Sequence, residues 1–426
     1  MNGDPDGTDD DADPDRFEAI DWETVDADDG GIPRRPAVVL AAFLGIAAAV
    51  GCELLRPGGG PTIAWPVAYR VTPLDGLFAA TLSVAVAYGA YPLYDDPRLA
   101  RRYWARFREH RVGVWSLWFL VAVSTLGLLG PLVVARPTVD VAAGYQPPAF
   151  ASVPATVPGS CVGPVVDGAC RGTWQYPLGT TGDGRGILVS VIYGTRVSLQ
   201  VGLVTATIVV LIGTAVGTVA AAAGGVVDEV LMRYVDVQMT FPSFFLYLFV
   251  LYLFGGSLVL LILVFGFTSW GGTARLVRSE TLQRREAGYV RAARAAGANT
   301  GWLLRRHLVP NVSGTVITNA TLIVPGLILL EASFAFLGLG DPDVTSWGEV
   351  IAAGRGDLAT AWWISTTPGV VLFATVLALN FVGDALRDAL DPRVASGAQG
   401  ESGDREASGA RGGSAAEEGA DGGGRE

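Results

Sequence analysis

RLVRSETLQRREAGYVRAARAAGANTGWLLRRHLVPN, residues 275–311, is a polar, arginine-rich stretch set between two apolar runs, 257–274 and 315–337. Runs of this length are what a roughly 30 Å hydrocarbon core requires of a helix, about 20 residues with few charges. Further runs fall at 36–55, 74–94, 112–135, 195–223, 241–255 and 366–386, giving eight candidate spans. A chain that is 50% hydrophobic and gathers its apolar residues in this way is an all-α, polytopic membrane protein.

The stretch 275–311 is too long for a mere connector, since most connections take about 4–6 residues. Its centre, Tyr289 to Ala298, is rich in alanine, the strongest helix former. Gly297 can close such a helix in a left-handed conformation. Ala292, Ala293 and Ala296 place small side chains over about one turn, which lets another protein's surface approach closely. The arginines around them suit carboxylate pairing. Trp302 to His307 is basic and amphipathic, and Pro310-Asn311 precedes the next apolar run. The expectation is a short helix along the membrane surface, presented to a cytoplasmic partner.

The net charge of −11 belongs to the tails. Residues 1–30 hold 13 acids and one arginine, and residues 391–426 hold eight acids and four arginines, leaving 20 acids against 25 arginines between them. Such tails bury too little apolar surface to order themselves. All 30 basic residues are arginine, a bias that fits either a very salty cytoplasm or a GC-rich genome. The start is acidic, unlike a signal peptide, so the first apolar run is expected to serve as insertion signal.

With the N-terminus cytoplasmic, connecting segments inside hold 17 arginines and those outside hold six, which sets the orientation. The stretch 136–190, rich in Pro, Gly and Thr, then lies outside. It carries Cys161 and Cys170, for which an oxidising exterior makes a disulfide the expectation and metal binding the lesser one. PRLARRYWARFREHR, 97–111, reads as an interfacial anchor. Glu331 is an acid inside a late span, a gate or pathway candidate beside the plainer reading of a structural hydrogen bond. Pro325-Gly326 should kink or loosen the same span, or simply pack.

Several stretches taken in order carry a resemblance. They are PLGTTGDGRG (177–186), YGTRVSLQVG (193–202), DEVLMRYVDVQMTFPS (228–243), YVRAARAAGAN (289–299), RHLVPN (306–311), EASFAFLGLG (331–340), SWG (346–348) and GDALRDALDPR (383–393). Ala292-Ala293, Gly297 and Pro310 resemble the EAA loop of permeases in ATP-binding-cassette importers. The whole set resembles the C-type subunit of the dipeptide/oligopeptide/nickel permeases. The resemblance covers about 112–393 and implies a type I importer transmembrane domain in the cell membrane. It implies a second permease as heterodimer partner, two ATPase subunits beneath and an external substrate-binding protein. It also implies that Tyr289, Arg291, Ala292, Ala293, Ala296, Gly297, Pro310 and Asn311 form the ATPase-coupling element. ATP and Mg would sit on the partner subunits and no cofactor on this chain, which has no lysine for a phosphate loop and so is not expected to be an enzyme.

Three departures stand out. Arg291 occupies a position where the family usually has Glu, which suggests an acidic counterpart on the partner or a shifted contact. Thr181 and Gly186 stand where Asp is common. The two spans within 36–94 are additional to the usual six. The expected organisation is an acidic tail (1–35), an extra hairpin with a basic segment (36–111), the permease domain (112–393, with external loop 136–190 and coupling loop 275–311) and a second tail (394–426). An ion-gradient-driven secondary transporter is the alternative; it predicts acids or histidines at the midplane of several spans, and His110 and His307 both lie in basic segments. A membrane hydrolase would need a nucleophile–base or HExxH arrangement, which the spans lack.

Overall fold

The computed structural model describes residues 41–48, 50–51 and 72–390. Both tails, Cys52 and half of the first expected span, 36–55, lie outside them; residues 41–48 and 50–51 are helical. Among the described residues six helices are long and apolar enough to cross a membrane. They are α1 (Pro73–Asp95), α3 (Arg111–Val133), α4 (Ile187–Ala223), α7 (Leu258–Arg285), α9 (Thr300–Phe336) and α11 (Trp363–Leu390). Between α1 and α3 runs the amphipathic α2 (Pro97–Phe107). Asp96 starts it by accepting the backbone N–H groups of Arg98 and Leu99. Its Phe107 is buried against Ala385 and Ala389 of α11.

The expected span at 241–255 is not a straight one. Gly225–Thr240 (α5) and Ser243–Phe254 (α6) are bent by 68° at Phe241-Pro242, so they form a broken span or a re-entrant pair. Pro242 explains the break, because it cannot donate into the preceding turn and pushes Phe241 into extended backbone. Of the other spans, α4, α7, α9 and α11 are clearly longer than the apolar runs suggested. At 1.5 Å per residue the 37 residues of α4 reach about 55 Å, well past a roughly 30 Å core. Likewise α7 continues to Arg285 and α9 begins at Thr300, so the segment between the two helices is 286–299 rather than 275–311. Six of the arginines counted as loop, Arg275, Arg278, Arg284, Arg285, Arg305 and Arg306, therefore lie in the ends of α7 and α9.

Glycine permits the closest approaches around α4. A Cβ on Gly213 or Gly217 would meet Thr273 or the backbone at Ala274 within 2.7 Å, so α4 and α7 pack almost backbone to backbone. The main core joins Val197, Val201 and Val204 of α4 to Tyr247 of α6, to Leu258, Leu261, Ile262 and Phe265 of α7, and to Phe334 of α9. Leu74 and Phe78 of α1 belong to the same cluster, so α1 is part of the bundle. Helix α9 runs unbroken from Val309 to Phe336 through a buried Pro325, with Gly326 exposed; the expected loosening there is not seen as a break.

The loop between α3 and α4 holds a small sheet absent from the sequence reading. Strands β1 (Ser152–Pro154), β2 (Val165–Val166) and β3 (Ala169–Arg171) pair antiparallel in the order β1-β3-β2. Asp167 and Gly168, both at positive φ, turn β2 into β3 as a two-residue hairpin. Cys161 is disulfide-bonded to Cys170 of β3. Thr181, almost fully buried, accepts the Arg185 N–H at 3.0 Å and bonds Asp183, closing the turn that precedes α4. Arg185 reaches Asp183 at 2.8 Å and Glu349 of α10 (Trp347–Ala353) at 2.9 Å, tying the loop to the segment that follows α9. Burial works against the charge of Arg185, but Glu349 and Asp183 hold its pKa above the usual value.

Candidate coupling surface

The segment 286–299 contains α8 (Gly288–Ala295). One side chain pins it: Val290 is fully buried among Ala222 at the end of α4 and Leu303 and Leu308 at the start of α9, with Ala293, Ala298 and Leu304 packed around. The end of α8 is closed by a Schellman motif. Gly297, at φ +92°, donates its N–H to Arg294 O at 3.0 Å, and Ala298 donates to Ala293 O at 3.1 Å. The apolar contact that accompanies such motifs is present, since Ala293 and Ala298 share the Val290 cluster.

The small residues expected on one face divide. Ala293 turns inward with Val290, as an i, i+3 pair must. Arg291, Ala292, Ala295, Ala296 and Gly297 are exposed, and nothing lies within 4 Å of where a Gly297 Cβ would stand. Beside them Tyr289 packs its ring 5.7 Å from His307, and Trp302 meets His307 edge-on at 4.9 Å. Tyr289 and Trp302 remain 43% and 47% exposed; Tyr289 is among the expected coupling residues, and Trp302 joins it only through the fold. Tyr289 lies thirteen residues before Trp302 and eighteen before His307, and the three rings gather only because the chain doubles back after Gly297.

Pro310 and Asn311 lie in α9 rather than in the connecting segment. Just before them Leu304–Leu308 widens into a π-turn. Pro310 has no N–H to offer the preceding turn, and the wider turn accommodates that loss. Asn311 donates its side-chain N–H to the backbone carbonyl of His307, one turn back, at 2.6 Å.

The arginines sort into two groups. Arg278 holds Asp228 of α5 through two bonds, Arg275 pairs with Asp236, Arg284 with Glu280, and Arg285 donates to Ala221 O. Apart from the Arg284–Glu280 pair, which lies within α7, these join α7 to α5 and α4. Arg291, Arg294, Arg305 and Arg306 are exposed and, among the described residues, make no ion pair. The surface around α8 is therefore basic, with small and aromatic side chains at its centre, and is suited to an acidic protein face.

The remaining sequence candidates lie elsewhere. Glu331 is 31 residues along α9 from Thr300, about 45 Å away. It is 3% exposed, has one carboxyl oxygen without a hydrogen-bond partner, and borders a cavity of about 130 Å³ shared with Asp341, Ser346 and Glu349. Pro325, Gly326 and the Cys161–Cys170 disulfide are likewise remote from α8.

Residues 213–396 match the family described as binding-protein-dependent transport system inner membrane component, and residues 98–148 match the N-terminal TM domain of oligopeptide transport permease C. The second range begins in α2 and takes in α3, so α1 precedes both. The oligopeptide transport system permease protein OppC of Haemophilus influenzae is 38% identical over 217 residues, 51% of this chain and 70% of that one. Its Escherichia coli K12 counterpart is 36% identical over 217 residues, 51% and 72%. A putative peptide transport system permease protein of Brucella suis is 38% identical over 221 residues, 52% and 74%. A solved structure of the MetNI methionine ABC transporter, inward facing, aligns with TM-score 0.41 and 19% identity over 48% of this chain and 98% of that one.

Proposed function

Because the chain belongs to the inner membrane components of binding-protein-dependent transport systems, we propose that it forms half of a peptide import pathway and couples it to a cytoplasmic ATPase through α8. The observation that carries the coupling role is the outward face of Arg291, Ala292, Ala295 and Ala296, held rigid by Val290 behind and Gly297 at its end. A small-residue helix can sit deep in a partner's groove, and the free guanidinium groups at its rim can pair with carboxylates there. Arg291 in place of a glutamate points to an acidic partner residue.

On this reading the α8 end of the bundle is cytoplasmic, and the disulfide-bonded loop faces outward toward a substrate-binding protein. A second permease completes the pathway. ATP and Mg are handled by two ATPase subunits. The relatives' names favour oligopeptides or other peptides as cargo, with dipeptides and nickel the further candidates raised by the sequence resemblance. The test is purification of the tagged full chain from its own membranes in mild detergent, with mass spectrometry of what accompanies it. Recovery of an ATP-binding-cassette ATPase and a second permease is expected. A chain recovered alone, under conditions that keep control complexes intact, would overturn the assignment.

A further inference from the structure

The extra helix α1 brings a carboxylate into the bundle. Asp75, its third residue, has a side chain only 12% exposed, and Arg196 of α4 facing it is 17% exposed. Asp75 Oδ1 accepts from Arg196 Nη2 at 2.7 Å and from Gln200 Nε2 at 2.8 Å. Its Oδ2 accepts from the backbone N–H and the hydroxyl of Thr72, both at 2.9 Å. Arg196 and Gln200 are one turn apart on α4, so both reach the same oxygen. Leu74 and Phe78 pack with Val197, Val201 and Val204 beside them.

Arg196 lies about 14 Å into α4 from its start at Ile187. A guanidinium does not shed its charge, and within a membrane span it must be paired or watered. The pair borders a cavity of about 190 Å³, lined also by Arg136, Tyr193 and Asp343.

We propose that α1 is a fixed wall of the transport unit rather than an added anchor, and that Asp75 is the positioning residue that holds Arg196 and Gln200, and with them the charge of this cavity. The transport readout below rests on the import function argued above; the stability readout does not.

Asp75 also takes part in the helix start with Thr72, so the test must separate the two roles. The full chain is made as Thr72→Ala, Asp75→Asn, Arg196→Gln and Asp75→Asn/Arg196→Gln, and its thermal midpoint is measured alone and its peptide uptake in vesicles with its co-purifying subunits. Removing the Asp75 charge should lower uptake about tenfold in Asp75→Asn, and removing both charges should restore most of it and of the midpoint. Thr72→Ala should keep uptake within about twofold, because it spares the ion pair. Additive losses in the double variant would show that Asp75 acts through the helix start, and full uptake by Asp75→Asn would leave α1 an anchor; either overturns the proposal. Should Asp75→Asn not reach the membrane, its rescue by Arg196→Gln is expected, and continued absence refutes the pairing. If even the unmodified chain takes up nothing, the import reading fails while the midpoint cycle still reports on the pair.

Discussion

Replacing Gly297 by alanine changes one atom at a place where nothing else stands. No heavy atom lies within 4 Å of the added Cβ, so crowding contributes nothing. What remains is the backbone. At φ +92° an L-residue meets its own carbonyl, at a cost of roughly 1–2 kcal/mol. That is about a 5- to 30-fold loss in the population of the closed helix end. The loss falls on the two bonds of the Schellman motif, Gly297 N–H to Arg294 O and Ala298 N–H to Ala293 O. Hydrogen exchange of peptides covering 288–299 in detergent or nanodiscs should therefore speed up by about that factor, while the spans keep their protection. Coupled ATP hydrolysis in the assembled complex should fall in parallel. Asparagine, which tolerates the left-handed region, should recover much of both. Exchange unchanged in Gly297→Ala, or Gly297→Asn as impaired as Gly297→Ala, would refute the motif as the element that fixes α8.

Val290→Ala removes two buried methyl groups from the cluster that pins α8, at about 1.5–3 kcal/mol, and should expose 286–299 to limited proteolysis before any span is cut. Ala292→Trp or Ala296→Trp, on the exposed face, should abolish ATPase co-purification with membrane levels unchanged, whereas Ala293→Trp should instead destabilise the segment because it points inward. Thiol alkylation without reduction should leave Cys161 and Cys170 unlabelled, and replacing both by serine should lower stability by roughly 3 kcal/mol, the chain-entropy value for so short a loop; a thermal midpoint unmoved by that double replacement would rule out a stabilising role.

Where the sequence was readable, one rule acted locally. Gly297 announced a helix end because few other residues take that conformation, and the apolar runs announced spans because lipid has one thickness. The limits appear where two distant segments decide together. Ala292 and Ala293 are identical in composition and differ only in which one Val290 draws with it into the space between Ala222 and Leu303. The arginines of 275–285 looked like loop because charge interrupts hydropathy, yet Asp228 and Asp236 of α5 receive two of them, and α7 simply continues. The hairpin at Asp167-Gly168 was legible in principle, since Asp-Gly between Val165-Val166 and Ala169-Cys170 is a strong short-range turn signal. Arg196 was hidden because it falls inside an apolar run and its partner lies 121 positions away.

The length of α4 and α9 makes them more than membrane crossings. Val290 is seated against the last residues of one and the first of the other, so a force on α8 is applied to the ends of two stiff rods at once. A rod of about 55 Å that tilts by about 5° around its middle swings each tip by roughly 2.4 Å, in opposite directions. The tip of α9 opposite α8 carries Glu331, Phe334 and the walls of the 130 Å³ cavity, which are packed to tolerances finer than that. A small displacement on one side of the membrane is thus sufficient, as simple leverage, to unseat the contacts on the other.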